Sequence, residues 1–554
     1  MDLLLRIPLW ARVVLDVGCG AGDLLAAFRR LNPTARLLGI DKDPESVANA
    51  RDRLDGVAVA DVEADPMPFD VAEGIDCIVY GDILEHLKDP WGLIRRHAGL
   101  LSPNGSMLIC VPNIEHWSFA DRLLRGTWDY EPSGLLDATH LRWFSLESMR
   151  RGLVGTGLSL CDVHPRVFDA ERSRQFASAL APGLAALGID SEAYARRAAP
   201  LQYIWRVRRQ PQQRLLLAGN MLAPVGGVSH VRVLQPLQAM GTDPQVSVQV
   251  TDRIEVGKPA DATPRIFILH RPSLSGEQGR QTLRTLMDAG YLVVTEFDDH
   301  PDFFQSMQDP DQLSFRGVHA VQTSTPALAE VLRRHNPEIA VFPNAIASLP
   351  EVRNFTEGQP LTCFFGALNR EQDWRELMPA INAVSTAAGA RLRFHVVHDT
   401  QFFEALETSH KTFTPICDYP TYMDLLGRCE ISLMPLGDNA FNRAKSDLKF
   451  IEAGACRVAP LASAVVYEDS IDDGVTGLLF RDAQELHARL LRMVAMPELA
   501  RGIGDAARRY VAGERMLAYQ VAARIAWYRS LWDRRQALTD ALNARIAVNP
   551  AAVA

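Results

Sequence analysis

The chain opens with an apolar run at residues 13–15 that ends at Asp16 and leads into alternating glycines. Those glycines are Gly18, Gly20 and Gly22. Apolar residues at helical spacing follow from position 24 to 31 and stop at Asn32-Pro33. This order predicts a strand, a tight glycine turn and a helix, which form the first unit of a nucleotide-binding α/β sheet.

Further apolar runs predict strands at residues 36–40, 57–60, 75–80 and 107–111. The first three of these are followed by acidic residues: Asp41, Asp61 and Asp82. Asp41 lies about 20 residues beyond the glycine turn, where a carboxylate holds the ribose hydroxyls of a bound nucleoside. A dinucleotide fingerprint would need glycine at position 23, which is Asp23. The pattern therefore favours a nucleoside-type cofactor other than a dinucleotide.

Residues 169–211 change character and predict a helical connector that ends in five arginines. These arginines are Arg196, Arg197, Arg206, Arg208 and Arg209. They indicate either a solvated linker or peripheral contact with a membrane surface. A new α/β pattern starts at position 214, with predicted strands at 215–218, 265–269, 291–296, 318–323, 340–342, 361–365, 391–397 and 431–434.

Composition bounds the class of protein. A chain of 554 residues is too long for one core, and 47% hydrophobic with 23% charged residues is typical of globular proteins. The net charge of −9 gives no electrostatic case for nucleic acid. The eight cysteines form no C-x-x-C pair, so we expect buried thiols in a reducing compartment and no metal site. Without a signal peptide or a span of about 20 apolar residues, the expected location is cytoplasmic.

Residues 10–168 resemble class I S-adenosylmethionine-dependent methyltransferases. The resemblance rests on VLDVGCGAG, the acidic strand ends, GDILEHLKDPW at 81–91 and LLDATHLRWFS at 135–145. The last stretch is similar to a D-x-x-H-x-R-[FW]-F motif of methyltransferases from bacterial polysaccharide loci. The resemblance implies that S-adenosylmethionine is held by the three glycines, Asp16, Asp41, Asp61 and Asp82, with Asp61 or Glu63 facing the adenine.

Methyl transfer to a sugar hydroxyl needs a base near the reacting oxygen. His140, in a polar loop between Asp137 and Arg142, is the favoured candidate. The residues expected to orient the base are Asp82, Glu85, Asp137 and Arg142. His86 is the second candidate, with simple packing at a helix start as the alternative role. Glu85 and His86 alone are too few for a metal ligand set.

The second half, residues 212–540, resembles GT-B glycosyltransferases of the large retaining nucleotide-sugar family. The matching stretches are GGVSHVR, FPNAI, FFGALNRE, KSDLKFIEAGACRVAP and DGVTGLLF. The resemblance implies two Rossmann-like lobes and a nucleotide-sugar donor. It assigns Glu452 to the donor ribose, Gly227 to the glycine loop, and Arg370, Lys445 and Lys449 to the diphosphate.

Two positions depart from the pattern of that family. The first glutamate of E-x₇-E falls at Ala444, so the sugar contact would come from Asp438, Asn439 or Asn442. The basic pair that neutralises the diphosphate falls at Ala367 and Gln372. A degenerate glycan-binding module is therefore an alternative to an active glycosyltransferase.

The sequence predicts an α/β protein with residues 1–168 as a methyltransferase domain and 169–211 as a helical connector. An acceptor lobe at 212–343, a donor lobe at 344–540 and a tail at 541–554 follow. The predicted function is bifunctional glycan biosynthesis, with S-adenosylmethionine, a nucleotide sugar and a glycan or lipid-linked glycan as partners. A methyltransferase for protein or lipid is a further alternative.

Overall fold

The computed structural model describes residues 2–210, 213–222, 227–254, 256, 263–307, 310–353, 355 and 358–547. The chain divides into two compact units. The N-terminal unit comprises Met1–Arg29, Thr34–Gln213 and Gly241–Gln245. The C-terminal unit comprises Arg30–Pro33, Arg214–Met240 and Val246–Ala554. Among the residues within these described ranges, no helix is long and apolar enough to cross a membrane.

The N-terminal unit is built on one seven-stranded sheet in the order β3-β2-β1-β4-β5-β7-β6. Its strands are β1 (Val13–Val17), β2 (Arg36–Asp41), β3 (Gly56–Val59), β4 (Ile75–Gly81), β5 (Leu101–Pro112), β6 (Ser159–Arg166) and β7 (Gln202–Arg208). The first five strands run parallel, while β7 is antiparallel to both of its neighbours. The carboxyl ends of β1, β2 and β4 therefore meet at one edge, where doubly wound sheets bind ligands.

Helices connect these strands and cover the sheet. They are α1 (Asp23–Arg29), α2 (Pro44–Ala50), α3 (Pro90–Ala98), α4 (Trp117–Leu124), α5 (Leu146–Leu153), α6 (Ala170–Ala186) and α7 (Ser191–Ala198). The carboxylate of Asp43 caps α2 by accepting from the backbone N–H of Ser46 at 2.9 Å. This cap fixes the start of the helix that follows the end of β2. The predicted turn at 102–105 instead forms a bulge inside β5, because Leu101 pairs with Ile75 and Ser106 with Cys77.

The prediction of a helical connector at 169–211 is wrong at its C-terminal end. Helices α6 and α7 are present, but residues 202–208 form β7, whose Trp205 is fully buried in the sheet. Arg206 and Arg208 are buried as well, and Arg206 pairs with Asp162 of β6. The predicted membrane-facing patch therefore loses two of its charges to the interior of the sheet.

The C-terminal unit contains two six-stranded sheets, both entirely parallel. The first has the order β13-β12-β11-β10-β8-β9 and the second the order β16-β15-β14-β17-β18-β19. The strands of the first sheet are β8 (Leu215–Asn220), β9 (Val246–Thr251), β10 (Arg265–His270), β11 (Leu292–Glu296), β12 (Ala320–Thr323) and β13 (Ile339–Val341). Those of the second are β14 (Leu361–Gly366), β15 (Leu392–Val397), β16 (Lys411–Thr414), β17 (Ile431–Met434), β18 (Ala459–Ser463) and β19 (Leu478–Phe480).

Helices of the C-terminal unit alternate with its strands, as right-handed parallel crossovers require. The helices up to β13 are α8 (Gln235–Met240), α9 (Gly276–Asp288), α10 (Leu313–Arg316) and α11 (Pro326–Arg333). The next are α12 (Glu371–Trp374), α13 (Met378–Ala388), α14 (Thr400–Ala405), α15 (Tyr419–Leu426), α16 (Ala440–Arg443), α17 (Leu448–Ala455) and α18 (Ala464–Tyr467). The last are α19 (Ala483–Ala495), α20 (Pro497–Glu514), α21 (Ala518–Asp533) and α22 (Arg535–Ala547). The two predicted Rossmann-like lobes are confirmed.

The lobe boundaries differ from the prediction near the C-terminus. Helix α21 returns to the first sheet, where the buried hydroxyl of Tyr528 donates to Gln322 of β12 at 2.5 Å. Residues 344–540 are therefore not all part of one lobe. Helix α22 runs through part of the predicted tail, and the rest of that tail lies outside the described residues.

Candidate active sites

The glycine turn after β1 has the backbone that its residue types require. Gly18, Gly20 and Gly22 have φ angles of 76°, 52° and 79°, in the left-handed region that glycine enters without strain. A Cβ on Gly18 would lie 2.0 Å from the Ile83 side chain, whereas a Cβ on Gly20 would meet no atom within 4 Å. Gly20 therefore faces open space, where a ligand approaches the backbone.

Asp41 at the end of β2 lies beside this open position. Its Oδ2 accepts from the backbone N–H of Gly20 at 2.9 Å, and its Oδ1 accepts from Asp43 at 3.0 Å. Asp16 is 4% exposed, and burial together with the nearby Asp41 raises its pKa to about 8. The turn, Asp41 and Asp16 thus form a cradle that fits the nucleoside part of S-adenosylmethionine.

The other predicted cofactor residues have different surroundings. Asp61 is exposed after β3 and accepts from the backbone N–H of Glu63 at 2.9 Å. The Glu63 carboxylate accepts from the backbone N–H groups of Lys88 and Asp89, so it serves the loop before α3. Asp82 follows β4 and accepts from the Gln202 amide at 2.5 Å. Burial raises the pKa of the Asp82 carboxyl.

The two candidate histidines lie together. Their ring centroids are 4.9 Å apart, with His86 in the short helix Leu84–His86 and His140 in the loop after α4. The Thr139 hydroxyl donates to Asp137 at 2.6 Å, so it accepts from Nδ1 of His86 at 2.9 Å. His140 Nδ1 lies 3.3 Å from the carbonyl oxygen of Leu135 and donates to it. In both rings the lone pair is therefore on Nε2.

Arg142 does not orient His140 in this structure. Its guanidinium donates to the carbonyl of Lys88 at 2.5 Å, and its backbone N–H donates to the carbonyl of Glu85 at 3.0 Å. Leu141 donates to the same Glu85 oxygen at 2.8 Å. Arg142 thus fastens the His140 loop to the segment that carries His86.

Sequence reasoning gave Glu85 only a supporting role, but it is central to this group. The residue is 1% exposed, and no other described residue donates a hydrogen bond to either carboxylate oxygen. Burial raises its pKa to about 8. The signal in the sequence was its position directly after a buried strand, beside a histidine, within ILEHL.

Aromatic side chains form a wall beside His140. The Trp143 ring packs edge-on against His140 at 5.5 Å and against Phe119 at 5.4 Å, and Trp128 packs on Phe119 at 5.8 Å. Flat aromatic faces next to polar groups suit the apolar face and the hydroxyls of a sugar ring.

The second site is a cavity of about 290 Å³ in the C-terminal unit, lined by residues of both sheets and their loops. The predicted donor-binding residues that line it are Gly227, Arg370, Lys445, Lys449 and Glu452. The fold therefore brings all five predicted donor-binding residues together around one cavity. Ala367 also lines this cavity, whereas Gln372 lines two other hollows.

Helix α17 carries two oppositely charged residues at the cavity wall, Lys449 and Glu452. Glu452 is 4% exposed, and burial raises its pKa to about 7, opposed by Lys449 and by a hydrogen bond from Tyr419. Burial lowers the pKa of Lys449 to about 8, and its ammonium donates to the carbonyl of Gly366. A Cβ on Gly227 would lie 2.7 Å from the Tyr419 ring, so only glycine fits there without displacing it.

The other two cationic side chains predicted to bind the diphosphate, Arg370 and Lys445, already interact with side chains of the protein. Arg370 donates to Asn442 at 2.8 Å and to Asp373 at 3.1 Å. Lys445 precedes α17, and its ammonium pairs with Asp299 at 2.6 Å. A diphosphate in the cavity would compete with these carboxylates.

Several cavity residues were not singled out in the sequence as donor contacts. They are Arg271, Asp298, His398, Tyr419 and Tyr422. Asn442 was offered as a replacement for the first family glutamate, but its amide donates to Asp373 and to the carbonyl of Gly437. Asp438 is engaged with Arg443 at 2.6 Å.

Comparison with known proteins agrees with this division. Residues 2–163 match a family model described as "Methyltransferase domain". Trans-aconitate 2-methyltransferase of Escherichia coli is 33% identical over 114 residues, which is 20% of this chain and 44% of the relative. The chain thus matches less than half the length of such curated relatives.

Two solved structures are among those to which this chain is similar. Sucrose-phosphate synthase from Thermosynechococcus elongatus is 17% identical with a TM-score of 0.41, covering 58% of this chain and 100% of that one. A SAM-dependent methyltransferase from Archaeoglobus fulgidus is 17% identical with a TM-score of 0.26, covering 35% of this chain and 85% of that one. Residues 2–163 match the model of a methyltransferase domain, and the same chain continues into a unit of two parallel Rossmann-like sheets.

Proposed function

We propose that the N-terminal unit methylates a sugar hydroxyl of a glycan or lipid-linked glycan. The observation that carries this proposal is the open position at Gly20 beside the fixed carboxylate of Asp41. S-adenosylmethionine, when bound, supplies an electrophilic methyl group. Asp41 and Asp16 would hold the nucleoside, with Asp61 and Asp82 at the neighbouring strand ends. The aromatic wall would orient the sugar, and the group of Glu85, His86 and His140 would promote loss of its hydroxyl proton.

Binding of S-adenosylmethionine to glycine-turn variants tests this proposal. Gly20→Val places side-chain atoms in the ligand space, and Asp41→Ala removes a charged acceptor that contributes about 1.5–3 kcal/mol. Calorimetry should show affinity reduced by at least about tenfold in both variants. Gly155→Val is the matched control, since Gly155 also has a positive φ of 84° and open space around it. Equal weakening in the control, or none in Gly20→Val, would contradict the assignment.

We propose that the C-terminal unit binds a nucleotide sugar and transfers its sugar. The cavity that unites Glu452, Lys449, Arg370 and Lys445 supports this function, because a carboxylate suits ribose hydroxyls and cations suit a leaving diphosphate. Ala444 and the paired state of Arg370 and Lys445 favour a second candidate, a non-catalytic glycan-binding module. Calorimetric titration with UDP-, GDP- and dTDP-sugars separates the two, since the module would bind none of them.

We further propose that the chain works in a reducing compartment, the cytoplasm. All eight cysteines are free thiols, and six of them are buried. Burial raises the pKa of Cys363 to about 12, which keeps it protonated and inert. Non-reducing electrophoresis of the native chain should show no disulfide after mild oxidation, and a stable internal disulfide would contradict this.

A further inference from the structure

One side-chain group in the N-terminal unit has the donors of a metal site. Glu85, His86 and His140 each offer a ligand atom, and these atoms all lie within 4.8 Å of one another. An ion with tetrahedral bonds of about 2.1 Å holds its donors about 3.4 Å apart. A shift of less than about one ångström by each donor would therefore close the three donors around one ion.

Hydrogen bonds at the Nδ1 atoms orient both imidazoles for such an ion. Nδ1 of His86 is bonded to the Thr139 hydroxyl, which Asp137 fixes in turn, and Nδ1 of His140 is bonded to the Leu135 carbonyl. This leaves Nε2 of each ring as the available lone pair. Metal-ligating histidines are held in this way, with the other ring nitrogen donating to a carbonyl or a polar side chain.

The buried carboxylate supplies the independent observation. The Glu85 residue is 1% exposed, and no other described residue donates a hydrogen bond to either of its buried carboxylate oxygens. Within the described residues, the charged side chains that act on it are Asp82 and Asp137, both negative. A buried carboxylate normally requires a cation or donors, and a divalent ion beside the two histidines would provide that charge.

We infer that Glu85, His86 and His140 bind one divalent transition-metal ion, with Zn²⁺ as the best match. Two imidazoles and one carboxylate form a ligand set of catalytic zinc sites, which keep a coordination position open. Calcium and magnesium prefer sites made of oxygen ligands. The sequence predicted no metal here because only the fold brings residue 140 next to residues 85 and 86.

The role of the ion rests on the proposed methyl transfer, while its binding does not. A sugar hydroxyl in the open coordination position of the ion would be polarised by it. Its O–H bond would break with the electron pair kept by oxygen and the proton released to water. The aromatic wall at Trp143 and Phe119 lies on the same side as His140 and would hold the ring.

Titration of the intact, chelator-treated chain with Zn²⁺ tests the inference. We expect one Zn²⁺ per chain, and a visible absorption band of tetrahedral type when Co²⁺ replaces it. Glu85→Gln and His140→Gln should each weaken Zn²⁺ binding by more than about tenfold. His164→Gln in β6 is the control and should bind like the parent. Circular dichroism checks folding, and the second ligand variant serves if the first fails to fold.

Binding and activity separate the two proposals. Zn²⁺ bound in the parent and lost in the ligand variants supports the inference even if no sugar is methylated, which would count against the proposed function alone. Methylation that is unchanged in the metal-free chain would overturn the role of the ion. A parent that binds no ion, or ligand variants that bind as tightly as His164→Gln, would overturn the site itself.

Discussion

Three non-glycine residues with left-handed backbone stand directly after strands at the two sites. Asp82 follows β4 with φ 57°, Arg271 follows β10 with φ 45°, and His398 follows β15 with φ 75°. Such a conformation costs about 1–3 kcal/mol for a residue with a side chain and collects at functional positions. Arg271 and His398 line the cavity of the C-terminal unit, and Asp82 follows β4 at the edge that carries the glycine turn. Strain of this kind is decided by tertiary packing, so residue types alone did not reveal it.

The buried ammonium of Lys449 predicts that the affinity for the nucleotide sugar depends on pH. Burial lowers the pKa of Lys449 to about 8, with Glu452 raising it and Arg370 lowering it. Below that value Lys449 is charged and attracts a diphosphate, and above it the charge is lost. Affinity for the nucleotide sugar should therefore fall by about tenfold or more between pH 7.5 and 9.5. Lys449→Arg keeps its charge, so calorimetry should show a flat profile, and an equal fall in that variant would refute this account.

Elements with a clear pattern of apolar residues or a strong turn signal were predicted well from the sequence. Eight of the twelve strands in the two parallel sheets were predicted, because they are apolar runs bounded by polar residues, which local pattern identifies. Strands β9, β16, β18 and β19 were not predicted. Strand β7 was missed because its short apolar run follows two real helices and pairs with β5, about 90 residues earlier in sequence. The residues of the histidine and glutamate group were likewise predicted only in part, because local sequence does not show contacts between distant segments. His86 and His140 were found by motif, while the burial of Glu85 depends on the loop that covers it.

The place of β7 in the sheet predicts a local stability effect. Trp205 is fully buried, so Trp205→Ala should destabilise the N-terminal unit by about 3–5 kcal/mol. Amide hydrogen exchange of β5 in the intact chain should accelerate accordingly. Phe168→Ala, at a residue that is 64% exposed, is the matched control and should leave that exchange nearly unchanged. Slow exchange in β5 of the Trp205 variant would mean that β7 is a linker, as the sequence had suggested.

At the scale of the whole molecule, each unit carries its own site. The N-terminal unit offers a glycine cradle with a histidine and glutamate group, and the C-terminal unit offers a charged cavity between parallel sheets. Both sites lie at the carboxyl ends of strands, the edge where α/β sheets bind ligands. The sequence motifs predicted residues of both candidate sites, because each site includes a local turn or helix. The pairing of Arg370 and Lys445 with carboxylates could be recognised only from the folded structure.

The central claim is that one chain binds S-adenosylmethionine and a nucleotide sugar at independent sites. The most direct measurement titrates both ligands into the parent, Gly20→Val and Glu452→Gln, with Glu498→Gln at an exposed position as control. The account predicts that the parent binds both ligands. Gly20→Val should lose only S-adenosylmethionine, and Glu452→Gln should lose about 1.5–3 kcal/mol of binding only for the nucleotide sugar. A parent that binds no nucleotide sugar, or either variant losing both ligands, would contradict it.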